Sequence, residues 1–195
     1  MIAQLRGTVV AVGATWVVVE TGGFGLKALC TPATAGAQRL GKDTTLHTSL
    51  VVREDSLTLY GFAGADEREC FELVQTASGI GPKIALAVVA TLGADDLRAA
   101  IAGGNVAALT RVPGIGAKGA QRLILELKDK VGQLAVVGQQ GTLASGWRDQ
   151  VKAGLEGLGW SSRDAESACD RVAGRAETEA SVAILMRAAL QSLAK

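Results

Sequence analysis

Metal ligands and catalytic nucleophiles are scarce in this chain. Its 195 residues include one histidine and three cysteines, and aromatic residues make up only 4%. Cys30, Cys70 and Cys169 lie far apart, are odd in number and form no C-x-x-C pair. That pattern argues against a disulfide framework or a zinc site and leaves three reduced, mostly buried thiols. His47 stands in the strand-like run TTLHTSLVV with no candidate partner and reads as structural. So few rings cannot form a platform for stacking single-stranded bases. A net charge of +1 provides no basic coat, so contact with a polyanion has to come from local placement of charge. No run approaches the roughly 18 apolar residues of a membrane span. The start MIAQLRGTVV also lacks the basic flank and long apolar region of a signal peptide, so a cytoplasmic protein without membrane association is expected.

What the chain does contain is a repeat. SGIGPK at 78–83 returns as PGIGAK at 113–118, and Gly79, Ile80, Gly81, Lys83 and Ala85 map in register onto Gly114, Ile115, Gly116, Lys118 and Ala120. Each copy follows one helical segment and precedes another, giving a unit of helix, tight glycine turn, helix. Pro113-Gly114 suits the central positions of a type II turn, and Pro82 suits a first helical position. Glycines ahead of a helix start leave backbone N–H groups and the positive end of the dipole open to an anion. Lys83 and Lys118 stand at equivalent positions, and Arg122 follows one turn after Lys118 to add a cation to the second copy. Ile80 and Ile115 are expected to be buried and to pin each turn. Two such turns related by a pseudo-twofold would hold the two backbones of a duplex without reading base edges.

Around the repeat the chain divides into a multidomain α+β protein. Residues 1–63 carry five short β-branched runs, IAQLRGTVVAV, TWVVVET, FGLKALC, TLHTSLVV and SLTLYGF, which fit an OB-type five-stranded barrel. Residues 64–131 change period and predict helices near 66–77, 82–91, 95–102, 105–111 and 117–131. Residues 132–146 contain no charged residue and read as a flexible linker. Residues 147–195 read as three short helices, the first carrying Val151, Leu155 and Leu158, the second opening at Ser161 with Asp164 three residues on.

Three motif matches point elsewhere. GIGAKG at 114–119 fits the dinucleotide fingerprint G-x-G-x-x-G but follows a helix-like segment where that motif needs a strand. GAQRLGKD at 36–43 nearly fits a phosphate-binding P-loop, yet Asp43 occupies the Ser/Thr position and would repel a nucleotide. PGIGAK also places Lys118 where base-excision lyases carry a catalytic lysine, but 131–146 lacks the aspartate those enzymes need. A repair enzyme acting on duplex DNA is the main alternative, and a nucleotide-dependent oxidoreductase a weaker one.

The segment VVREDSLTLYGF puts Arg53, Glu54, Asp55 and Ser56 at a hairpin tip between the fourth and fifth strands. Together with MIAQLRGTVV, the paired turns, AQRLILELKDK after the second turn and the tethered helical tail, it resembles the RuvA family of bacterial Holliday-junction-binding subunits across the whole chain. The resemblance implies a non-catalytic subunit, with no cofactor, that acts in homologous recombination and DNA repair after DNA damage and in the SOS response. It implies a homotetramer, one or two per junction, that holds a four-way DNA junction open and square. It implies the RuvB hexameric ATPase as motor for branch migration and the RuvC resolvase in a larger complex. By position, Glu54 and Asp55 look like the family's acidic pin, and Gly79, Gly81, Lys83, Gly114, Gly116, Lys118 and Arg122 like its backbone-contacting set. The tail is similar to a UBA-like module that binds the motor, with Leu155, Leu158 and Trp160 as candidate contacts. Many members carry two lysines after the second turn, where this chain has Ala117 before Lys118.

Overall fold

The structure is a computed structural model that describes residues 2–137, 146–176 and 181–193. The chain forms two compact units, Met1–Ala135 and Val136–Lys195.

The first unit opens with five strands: β1 (Gln4–Val12), β2 (Trp16–Thr21), β3 (Phe24–Cys30), β4 (Asp43–Val52) and β5 (Leu57–Phe62). They close into a barrel in the order β1-β2-β3-β5-β4, with β1 pairing back to β4 and β3 running parallel to β5. Period-two alternation turns Leu5, Val9, Val17, Val19, Ala28, Leu46 and Leu59 inward to fill it. β1 serves both β2 and β4, and a register shift between Val9 and Ala11 gives it the extra bend that closure needs. Gly22 and Gly23, at φ of 56° and 84°, make the two-residue turn that joins β2 to β3.

Between β3 and β4 lies α1 (Pro32–Ala37), a helix absent from the sequence-based expectation. Thr31 caps it by accepting the Thr34 N–H at 3.2 Å, and Pro32 occupies the first turn. Six residues rich in small side chains carry too little hydrophobic periodicity to announce a helix. The P-loop-like stretch 36–43 therefore starts in this helix and ends in β4, where the Asp43 carboxylate accepts from the Thr8 hydroxyl at 2.9 Å.

The helical half comprises α2 (Ala65–Gln75), α3 (Pro82–Ala102), α4 (Val106–Thr110) and α5 (Ala117–Val137). GIGAKG follows α4, so it lacks the strand of a dinucleotide site. α5 runs six residues beyond the expected end at 131, into the stretch read as linker. GQLAVV contains no proline, and one glycine costs a helix only about 1 kcal/mol, which does not stop it. The remainder of the expected flexible linker, 138–145, lies outside the described residues.

Barrel and helices share a core. Leu59 faces the barrel interior, whereas Tyr60 and Phe62 join the helical core, with ring centroids 4.8 Å and 5.0 Å from Phe71. Tilted ring pairs of this kind, 36° and 46° between planes, add to the burial term itself.

The second unit is a three-helix bundle of α6 (Trp147–Gly157), α7 (Ser162–Ala176) and α8 (Val182–Leu193) around Val151, Leu155, Cys169, Val172 and Leu185. Ser161 caps α7: its hydroxyl accepts the Asp164 N–H at 3.2 Å and donates to the Asp164 carboxylate at 2.6 Å. All three cysteines are buried and free, and burial pushes the Cys30 thiol up to about 12 and the Cys70 thiol up to about 11. Neither is a thiolate nucleophile at neutral pH.

Helix α3 is interrupted at Gly93, whose φ of 73° and ψ of 177° lie outside the helical region. This break separates the helices expected near 82–91 and 95–102 and lets the second repeat begin. A Cβ there would meet nothing within 4 Å, so its penalty is backbone strain alone. Gly93→Ala should lower the stability of the first unit by about 1–3 kcal/mol, read from the urea unfolding midpoint.

Candidate nucleic-acid interface

The two Gly-Ile-Gly turns adopt the same geometry for the same reason. In the first, the Ile80 N–H donates to the Ala77 carbonyl at 3.2 Å; in the second, the Ile115 N–H donates to the Val112 carbonyl at 3.1 Å. Between each pair a glycine takes positive φ, 81° at Gly79 and 90° at Gly114, which an L side chain rarely adopts. The following helix starts in both copies with a carbonyl accepting four residues on, Gly81 from Ala85 and Gly116 from Ala120, each at 2.9 Å. Ala85 and Ala120 are fully buried and seat the helix starts. Ile115 is buried as expected, but Ile80 is only half-buried, packed against the edge of the same core.

Among the described residues these bonds leave the N–H groups of Gly79, Gly81 and Lys83, and of Gly114, Gly116 and Lys118, without a backbone acceptor. They are the orphan donors of a helix start, and the glycines put almost no side chain in the way of an anion that would approach them. Lys83, Lys118 and Arg122 are exposed and enter no ion pair among the described residues. Their charge is available to a phosphate.

Arg122 departs from the expectation. Sequence distance puts it with the second turn, but a Cβ on Gly79 would stand 3.7 Å from its guanidinium, so it supports the first turn. In return Ile84, at the start of α3, approaches Gly114 of the second turn, 3.7 Å from the position of a Cβ. Each repeat thus leans a side chain on the other's turn, as a pseudo-twofold pair requires.

Two residues of this interlock carried no sequence signal. The Glu126 carboxylate accepts the Ser78 N–H at 2.8 Å, and the Lys130 ammonium donates to the Thr76 hydroxyl at 3.0 Å, tying α5 to the first turn. The second copy has Pro113 where the first has Ser78, and proline has no N–H to satisfy. An acceptor is therefore needed on one side only.

The hairpin tip between β4 and β5 is closed by the Arg53 N–H donating to the Ser56 carbonyl at 2.9 Å. Glu54 and Asp55 project from it, exposed and free of any ion pair among the described residues; Asp55 accepts only the Ser56 hydroxyl at 3.2 Å. Two uncompensated carboxylates therefore protrude from the unit that carries the two cationic turns.

In the second unit the three candidate contacts separate. Leu155 is fully buried in the bundle core and cannot meet a partner. Leu158 is not on the helical stripe assigned to it; it caps α6, 62% exposed, just before Gly159 at φ of 96°. Trp160 is 38% exposed, and Ile184 on α8, a position not singled out from sequence, is 47% exposed.

Among the described residues no cluster of His, Cys, Asp or Glu could hold a metal ion, and no helix is long and apolar enough to cross a membrane. Lys83→Ala and Lys118→Ala should each lower the slope of log affinity for DNA against log salt by about 0.9 for every phosphate no longer neutralised, equally on unrelated sequences. Fluorescence anisotropy titrations on two duplexes of different sequence would measure it; an effect confined to one sequence would indicate base readout.

Known families match the chain along its length. A model described as RuvA N terminal domain matches residues 1–61, one described as SAM-like helix-hairpin-helix tandem matches 71–129, and one described as RuvA, C-terminal domain matches 146–194. Proteins named Holliday junction branch migration complex subunit RuvA are similar throughout: that of Cutibacterium acnes is 55% identical over 201 residues, covering 100% of both chains. That of a Nocardioides species is 54% identical and that of Thermobifida fusca 52%, again over 100% of both chains. With a barrel, a tandem hairpin domain and a C-terminal bundle in the same order, this chain belongs to the RuvA family.

Proposed function

We propose that the protein is the DNA-binding subunit of a Holliday junction branch migration complex, gripping duplex arms by their phosphates and selecting the four-way junction by repulsion at its centre. The observation that carries this reading is the pairing of opposite devices in one unit. Two turns present free N–H groups and unpaired cations, and one tip presents Glu54 and Asp55 with no counter-charge among the described residues.

The physics of selection follows from the tip. A carboxylate about 4 Å from a phosphate is repelled by roughly 1 kcal/mol in water and about 4 kcal/mol at an effective dielectric of 20. A continuous duplex lying across the tip takes that penalty, whereas strands diverging around it at a crossover take less. Backbone contacts ignore sequence, so the shape of the DNA provides the discrimination.

Four copies would present eight turns to the four arms and gather their tips at the crossover, which is why a homotetramer, alone or with a second one on the opposite face, fits this reading. The C-terminal bundle would recruit a RuvB-type hexameric ATPase, which supplies the energy of branch migration, through a surface that includes Leu158 and Trp160. A RuvC-type resolvase would join the same complex. This subunit itself then needs no cofactor and carries out no bond chemistry. The functional division is a barrel with acidic tip over 1–63, the tandem hairpins over 64–131 extended by the rest of α5, and the bundle over 147–195.

The test is competition in a gel-shift assay between an immobile four-way junction and linear duplex with the same arm sequences, without magnesium. A strong preference for the junction is expected; equal affinity would overturn the reading in favour of a generic duplex-binding protein, to be assayed for base release or strand cleavage.

Glu54→Gln combined with Asp55→Asn should tighten duplex binding by about fivefold for each repulsion of roughly 1 kcal/mol removed, narrowing the preference for junctions. An unchanged ratio of junction to duplex affinity would rule the pin out. Leu158→Ala with Trp160→Ala should spare junction binding and reduce stimulation of the motor ATPase, measured as phosphate release; full stimulation would place the motor-binding surface elsewhere.

A further inference from the structure

Between the base of the β4–β5 hairpin and the first Gly-Ile-Gly turn lies a cavity of about 460 Å³, wholly within the first unit. Its wall on the barrel side carries Arg53, Ser56, Thr58 and Tyr60, and its wall on the helical side carries Gly81 and Lys83. Glu54 and Asp55 follow Arg53 directly in the chain but do not line it.

Three observations give this cavity the chemistry of an oxyanion site. Arg53 and Lys83 are exposed cations without an ion pair among the described residues, brought together from the β4–β5 hairpin and the start of α3. The Arg53 guanidinium reaches the turn: a Cβ on Gly81 would lie 4.0 Å from it, beside an N–H that has no backbone acceptor. Tyr60 is only 3% exposed, yet it lines the cavity and its hydroxyl makes no hydrogen bond among the described residues. The ring is buried, but the hydroxyl oxygen still opens on the cavity, where it is free to donate to a ligand. Burial pushes the Tyr60 phenol up and the Arg53 charge draws it part of the way back, in keeping with a guanidinium close to the hydroxyl.

We propose that this cavity seats one phosphodiester oxyanion of a bound DNA strand, held by the Arg53 guanidinium, the Tyr60 hydroxyl and the Lys83 ammonium. The hairpin that repels at its tip thereby attracts at its base, and a strand turning away from the carboxylates is caught there. The proposal rests on the DNA-binding reading above and adds Arg53 and Tyr60 to the residues of the first turn.

The experiment uses the full chain with a four-way junction and a linear duplex, titrated between about 50 and 200 mM salt. Arg53→Gln should lower the salt slope by about 0.9 for each cavity occupied, so the variant loses about threefold less affinity over that range per site. Tyr60→Phe keeps the ring on Phe71 and removes only the hydroxyl; it should weaken binding by about fivefold with an unchanged slope, because the phenol carries no charge. Tyr60 is the one tyrosine in the chain, so ring-labelled tyrosine gives a single resonance. That signal should move when DNA is added to the unaltered protein. An Arg53→Gln slope equal to that of the unaltered chain, or a Tyr60 signal that stays put on DNA binding, overturns the proposal. Lys118→Ala, which lies outside the cavity, separates the two readings. A slope lowered by Lys118→Ala but not by Arg53→Gln removes the cavity and leaves the hairpin grip standing; a slope moved by neither removes the grip itself.

Discussion

Positive φ at Gly79 and Gly114 is the constraint on which the surface proposed to meet DNA depends. It reverses the chain within one residue, so the carbonyl before the turn is satisfied by the isoleucine after it. The remaining N–H groups then stand at two helix starts with no backbone acceptor among the described residues. A Cβ at either glycine would demand a conformation that L residues avoid, and the donors would no longer converge. Lysines at the second helical position add charge to an array the backbone has already built.

Such an array is useful only if its two copies keep a fixed relation. The interlock supplies it: Arg122 rests on the first turn, Ile84 on the second, and the Glu126 carboxylate holds the Ser78 N–H. Glu126 is itself an anion near the turns proposed to bind phosphate, but it is committed to a backbone donor. The same logic extends to the barrel. Tyr60 and Phe62 on β5 pack against Phe71 on α2, so the tip carrying Glu54 and Asp55 is held relative to the turns by a shared apolar core. Repulsion discriminates between DNA shapes only when the repelling charge cannot move aside.

Core packing and solvent exposure fall to different residues even within one helix of the second unit. Leu155 fills the core of the C-terminal bundle while Leu158, three residues on, caps the helix and faces solvent. Buried cysteines stay protonated and inert, and the lone histidine sits in β4 as part of the barrel wall. What the two turns and the hairpin tip offer a ligand is charge, N–H groups and shape.

Much of this was legible in the sequence because it is local. Period-two runs marked the five strands, the shift toward 3.6 marked the helices, and the Gly-Ile-Gly repeat marked both turns, since turn geometry depends on the residues in the turn. The acidic tip was legible for the same reason, as a charge cluster between two strands. The short helix α1 and the last six residues of α5 were not, because neither carries a strong periodic stripe. Only the tertiary structure decided which side chain serves which turn. Arg122 is four residues from Lys118 in the chain yet supports Gly79, and Arg53 meets Gly81 across the seam between barrel and helices. Sequence spacing sets positions along one element, whereas contacts between elements depend on how their buried faces pack, and Tyr60, Phe62 and Phe71 make that choice here.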